Sequence, residues 1–157
     1  RHPERSNEVA DIISSFGFRP LFTSSLPYEC STCITQPVFI LNTVGELMSY
    51  YSAADVVFVG GSLTKIGGHN ILEPASLGKP VITGEHTFNF RDITDLFIKS
   101  NACVIVHDEA GLENAAQRLL DNPKEAQELA SRALSVVKNN QGATKRSAEI
   151  ARKFFSE

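Results

Sequence analysis

A chain of 157 residues, 42% hydrophobic and 21% charged, has the composition of one globular domain large enough to bury a core. Its net charge of -3 and pI near 5.8 exclude the clustered Lys and Arg footprint of a nucleic-acid binder, so no nucleic-acid partner is expected. No apolar run approaches the roughly 20 residues that a membrane-spanning helix needs, and any membrane contact would be peripheral.

The opening residues, Arg1 to Arg5, carry neither an initiator Met nor a signal-peptide pattern, so the sequence reads as a single domain, 1–157, excised from a longer protein. Glu4 to Ser15 predicts a helix with Val9, Ile12, Ile13 and Phe16 on one face and Gly17 as its stop. A short strand follows near Leu21 to Thr23, then a polar loop from Ser24 to Gln36, then a buried strand from Pro37 to Leu41. Gly45 to Ala54 reads as a helix. Asp55 to Val59 is a strand whose apolar run suits coverage on both faces, and it marks the expected centre of the sheet.

Beyond a glycine-rich turn, Asn70 to Leu77 predicts a helix, Pro80 to Thr83 a strand, Phe90 to Lys99 a helix and Cys103 to Val106 a strand. Glu109 to Phe155 is mostly helical, with breaks at Asn122-Pro123 and from Asn139 to Gly142. Strands alternating with amphipathic helices are the signature of a parallel sheet wrapped by helices. The fold class is therefore α/β, a three-layer α/β/α Rossmann-like domain.

Cys30, Cys33 and Cys103 form an odd set, which fits reduced thiols better than a disulfide framework. Cys30 and Cys33 have no second ligand pair, and His2, His86 and His107 show no metal-ligand spacing, so no metal site is expected. No nucleophile has a base near it in a recognisable pattern, and the chain offers no complete catalytic apparatus of its own.

Three segments fall where a strand ends and a helix begins: Asn42 to Leu47, Gly60 to Ser62, and Gly67 to Pro74. In open parallel sheets ligands bind beyond the carboxyl ends of the strands. Gly60 and Gly61 let the backbone approach a ligand closely, and Gly67 and Gly68 open the next helix, whose positive end is an anion site. Neither pair belongs to a dinucleotide fingerprint or a Walker loop. Asn70 and Glu73 fit two roles, a capping box or a ribose-binding carboxylate with an amide near the phosphate. His69 is either a polar residue before a helix or a donor to an anion. Thr43 and Glu46 are spaced as a second capping box.

Together, Arg1 to Arg5, Gly45 to Leu47, Phe58 to Ser62, Gly67 to Asn70 with Leu72 to Pro74, and Asn89-Phe90 resemble the 3-deoxy-D-manno-octulosonic acid (Kdo) transferases, enzymes of the GT-B class. The resemblance covers roughly residues 1 to 90, and the block from Gly67 to Pro74 is its most specific element. It implies the C-terminal half of a GT-B fold, binding CMP-Kdo as donor substrate and needing no cofactor or essential metal. The whole enzyme would transfer Kdo to a lipid A precursor at the cytoplasmic face of the bacterial inner membrane. The acceptor site, the membrane anchor and the catalytic base would lie in an N-terminal domain absent from this chain.

By the same resemblance Arg1, Gly61, Ser62, Asn70 and Glu73 line the donor cleft, with Glu46 as a further candidate; Gly60, Gly67, Gly68 and His69 complete the expected donor-binding set. Two positions depart from the family's pattern. Asn42 stands where Asp is frequent, and Glu85 stands where Pro is common. A carboxylate at Glu85 would repel a phosphate, so its side chain is expected to face solvent or the absent domain. Two other functions remain open, another GT-B nucleotide-sugar enzyme such as a UDP-sugar transferase or epimerase, and a non-catalytic nucleotide-binding module.

Overall fold

The computed structural model describes residues 3–25 and 37–141, which leaves Arg1, His2, Cys30 and Cys33 outside the described residues. The chain divides into two compact units, Arg1–Tyr50 and Tyr51–Glu157.

In the first unit a 3-10 turn over Pro3–Arg5 leads into α1 (Ser6–Ser15). Gly17 stops that helix as expected, with φ +80. Its N–H donates to Ser14 O at 2.9 Å and that of Phe18 to Ile13 O at 3.3 Å, the bond pair of a Schellman motif. The apolar stripe of α1 contributes no buried residue. It rests on β1 (Arg19–Phe22) and β2 (Pro37–Ile40), and two four-residue strands are too narrow to cover it.

These strands pair in parallel, Arg19 against Pro37 through Phe22 against Ile40. Their carboxyl ends are tied by Asn42. Its Oδ1 accepts from Ser24 N at 3.1 Å and Thr23 Oγ1 at 3.3 Å, while its Nδ2 donates to Ser24 Oγ at 2.8 Å. The next helix, α2 (Leu47–Ala53), starts two residues later than the sequence suggests. Gly45 has φ +95, a left-handed conformation that cannot belong to a right-handed helix.

The second unit carries a parallel three-stranded sheet of β3 (Val57–Val59), β4 (Val81–Gly84) and β5 (Val104–Val106), in the order β3-β4-β5. Val57 faces Val81, and Ile82 faces Val104. The strand with a neighbour on each side is thus β4, one strand later than the sequence pattern suggests, and all four of its residues are buried.

Between the strands run α3 (Leu72–Ser76) and α4 (Arg91–Lys99); α5 (Glu109–Asp121) and α6 (Pro123–Asn139) follow. Alternate side chains of the sheet feed two cores. On one face Val57, Val59 and Val81 pack with Ile71, Ala75, Phe97, Ala133 and Val136, so α3, α4 and α6 cover that side. On the other, Ile82 and Val106 pack with Ala115, Leu119 and Leu129, contributed by α5 and α6. This is the expected α/β/α layering.

Helix boundaries follow local chemistry. Asp108 caps α5 by accepting from Gly111 N at 2.7 Å, and Pro123 opens α6 at a position where the proline's lost N–H costs nothing. The break expected at Asn122-Pro123 is therefore the junction of two helices.

Candidate functional site

The first candidate segment leaves the sheet at the end of β3. Gly61 has φ +72, which glycine adopts without a Cβ penalty. A Cβ there would lie 3.2 Å from His69 Nε2 and 3.3 Å from its Cδ2, so the bare glycine also makes the space against which the imidazole lies. Gly60 differs, because nothing stands within 4 Å of where its Cβ would be. This is the open side of the turn.

Ser62 is fully buried. Its hydroxyl donates to Val59 O at 2.7 Å and accepts from Gly84 N at 2.8 Å, and its carbonyl accepts from His86 N at 2.9 Å. The side chain is thus spent on holding the β3 turn to the β4 turn. Gly84 completes the contact, since a Cβ on it would collide with the Ser62 carbonyl and lie 2.7 Å from Leu63 N. Sequence reasoning assigns Gly84 no part in this, because its partner stands 22 residues upstream and no local pattern joins them.

The second glycine pair corrects an expectation. Gly67 and Gly68 do not open the helix, and the Gly68 amide is not free. The helix that follows begins at Leu72 and has five residues. Pro74 explains the late start: a proline has no N–H for the carbonyl four residues earlier and clashes with it, so Asn70 cannot lie within the helix. Both glycines are buried, and the Gly68 amide donates to Gly61 O at 2.8 Å. With φ +103, Gly67 lies under Asn89 and Phe88; its Cβ would be 2.5 Å from Phe88 Cε2 and 2.7 Å from Asn89 Cγ. The pair is a packing device that folds one turn against another.

Beyond this bend the chain presents His69, exposed, then Asn70 and Glu73, each half-buried. Asn70 Oδ1 accepts from Leu72 N at 3.0 Å, a bond to the residue two positions on, and Asn70 Nδ2 donates to Glu73 Oε1 at 3.3 Å. Glu73 therefore meets the Asn70 side chain rather than its backbone N–H, and Asn70 accepts from Leu72 N rather than Glu73 N, so the capping box is not formed. The carboxylate retains acceptor capacity on an accessible face, which suits a pair of hydroxyl donors.

Glu46 belongs to the first unit, directly before α2, where its carboxylate accepts from the Thr43 hydroxyl. Arg1 lies outside the described residues.

Glu85 follows the close of β4 and is exposed, as expected. The structure adds partners that the sequence does not suggest: His107 Nδ1 lies 3.1 Å from Glu85 Oε2, and His86 Nε2 lies 3.8 Å from Oε1. Each contact becomes an ion pair when the imidazole is protonated. Among the described residues no group of three His, Cys, Asp or Glu is placed to hold a metal ion, and no helix is long and apolar enough to cross a membrane.

Comparison with known proteins identifies relatives of this chain. Residues 33–136 match the family described as glycosyl transferases group 1. The 3-deoxy-D-manno-octulosonic acid transferase of Haemophilus influenzae is 38% identical over 99% of this chain and 36% of its own length. That of Bordetella pertussis is 35% identical over 95% of this chain and 34% of its own. The chain thus spans about a third of the length of these curated relatives. Among solved structures, the C-terminal CMP-Kdo binding domain of WaaA from Acinetobacter baumannii superposes with a TM-score of 0.78 at 36% identity, covering 87% of this chain and 70% of that one.

Proposed function

This chain belongs to the group 1 glycosyltransferases, and from that premise we propose that it is the CMP-Kdo-binding part of a Kdo transferase of lipopolysaccharide biosynthesis. The observation that carries the proposal is that His69 lies against Gly61 and leads into the bonded pair Asn70 and Glu73, at a turn from the carboxyl end of β3 that is open at Gly60. That is where parallel sheets bind nucleotides. The similarity to a CMP-Kdo binding domain supports this donor over a UDP-sugar.

Each group has a task fitted to its chemistry. Glu73 accepts hydrogen bonds from the ribose hydroxyls, exchanging its internal bond from Asn70 for them. Asn70, so released, reaches toward the phosphate with its amide. His69 donates to the phosphate oxygens, and Gly60 and Gly61 let the ligand lie close to the backbone. Ser62 acts indirectly, by fixing the turn.

In the whole enzyme a hydroxyl of a lipid A precursor attacks the anomeric carbon of Kdo. The bond from that carbon to the phosphate oxygen breaks, CMP departs, and the hydroxyl proton passes to a base outside this chain. The acceptor, the base and the contact with the cytoplasmic face of the inner membrane belong to that remainder. This chain binds donor weakly and catalyses nothing.

Calorimetric titration with CMP and UDP tests the assignment. CMP should bind more tightly than UDP, and Glu73→Ala should weaken CMP binding about tenfold or more with the fold retained, as for loss of a charged hydrogen-bond acceptor. Equal affinity for the two nucleotides, or a Glu73→Ala chain that loses stability but not affinity, would overturn it.

A further inference from the structure

Asn89 is exposed, yet its backbone N–H and its side-chain amide nitrogen both donate to one short stretch of chain. Its backbone N–H donates to Gly67 O at 3.1 Å, and its side-chain Nδ2 donates to Ile66 O at 3.1 Å. Its carboxamide also fills the place where a side chain on Gly67 would stand. Asn89 thus grips two consecutive carbonyls of the bend that precedes Gly68 and His69.

The bend passes that constraint onward. Gly68 N–H bonds Gly61 O, and the His69 imidazole lies against Gly61. Asn89 itself is carried by a firm base: the 3-10 turn Phe88–Phe90 runs directly into α4, whose Phe97 is fully buried and whose Thr94 hydroxyl donates to Phe90 O at 3.0 Å. A side chain fixed to α4 therefore sets the position of a segment more than 20 residues earlier in sequence.

We propose that Asn89 is a positioning residue of the donor site: through the Ile66 and Gly67 carbonyls it holds the bend that sets Gly68 and His69 against Gly61. The proposal rests on the donor-binding function proposed above, and its test separates the two.

The chain is compared with its Asn89→Ala and Asn89→Asp variants by CMP titration, thermal unfolding and amide hydrogen exchange at Gly68. Aspartate keeps the shape but has no N–H for Ile66 O. Both variants should bind CMP about fivefold more weakly, the size expected for one neutral hydrogen bond, and should exchange the Gly68 amide faster while melting within a few degrees of the parent. In a His69→Ala background, Asn89→Ala should cost little further affinity, because its effect runs through that segment. Unchanged CMP affinity together with unchanged Gly68 exchange would overturn the proposal. So would an affinity loss of full size in the His69→Ala background, since that makes Asn89 an independent ligand contact. If the unaltered chain fails to bind CMP, the donor assignment falls, and Gly68 exchange alone then decides whether Asn89 holds the bend.

Discussion

The two glycine pairs, Gly60-Gly61 and Gly67-Gly68, look alike in sequence and differ in what covers them. Over Gly60 there is open space, whereas Gly67 and Gly68 lie beneath residues 86–89. Gly60 can leave room for a ligand; Gly61, against His69, and the second pair leave room for the protein itself. A missing Cβ is a statement about proximity, and only the surroundings say proximity to what.

Substitution separates the two uses. The largest effect belongs to Gly67→Ala, which combines a left-handed backbone with a collision against Asn89 and Phe88. It should cost about 3 kcal/mol, measured by denaturant unfolding. Ser62→Ala comes next, because it strands the buried Gly84 N–H that the hydroxyl now satisfies. A loss of about 2 kcal/mol is expected on the same assay. By contrast, Gly60→Ala should change stability by no more than about 0.5 kcal/mol and yet weaken CMP binding, since its methyl group would stand on the open side. If Gly60→Ala proved as destabilising as Gly67→Ala, the distinction would be lost.

The finest probe is Cys103, which packs against the core that Val57, Val59 and Ile71 help to form. Burial pushes its thiol up from 9.0 to about 11. At pH 8 its thiolate population, and so its alkylation rate followed on its own peptide by mass spectrometry, should be roughly a hundredfold below that of an accessible thiol. Gly67→Ala should speed that reaction and Gly60→Ala should leave it unchanged. Because the folded value lies above the unfolded one, the associated stability is intact below about pH 9 and is lost as pH rises toward about 11.

Where structure follows from neighbours in the chain, the sequence is legible. Periodicity and turn residues identify α1, β2, α4 and the junction at Pro123 to within a residue or two, since helix faces and caps are decided over a few positions. The α/β/α layering follows from their alternation. Two boundaries shift because one residue outweighs a pattern: Gly45 delays α2 by its left-handed backbone, and Pro74 delays α3 by its absent N–H.

The site is only partly legible. His69, Asn70 and Glu73 fall within five residues of one another, but the tasks of Ser62 and Gly67 depend on Gly84 and Asn89, each 22 residues away. The same separation hides the contact of Glu85 with His107. Nothing in composition or spacing announces such pairs; they exist only once two strands lie side by side.

The cover above Gly67 and Gly68 has one more consequence. Because it is made of the chain's own atoms, the bend takes its shape before any nucleotide arrives. Encounter with such a preorganised surface requires no folding step, so related nucleotides should arrive at similar rates and be told apart chiefly by residence time.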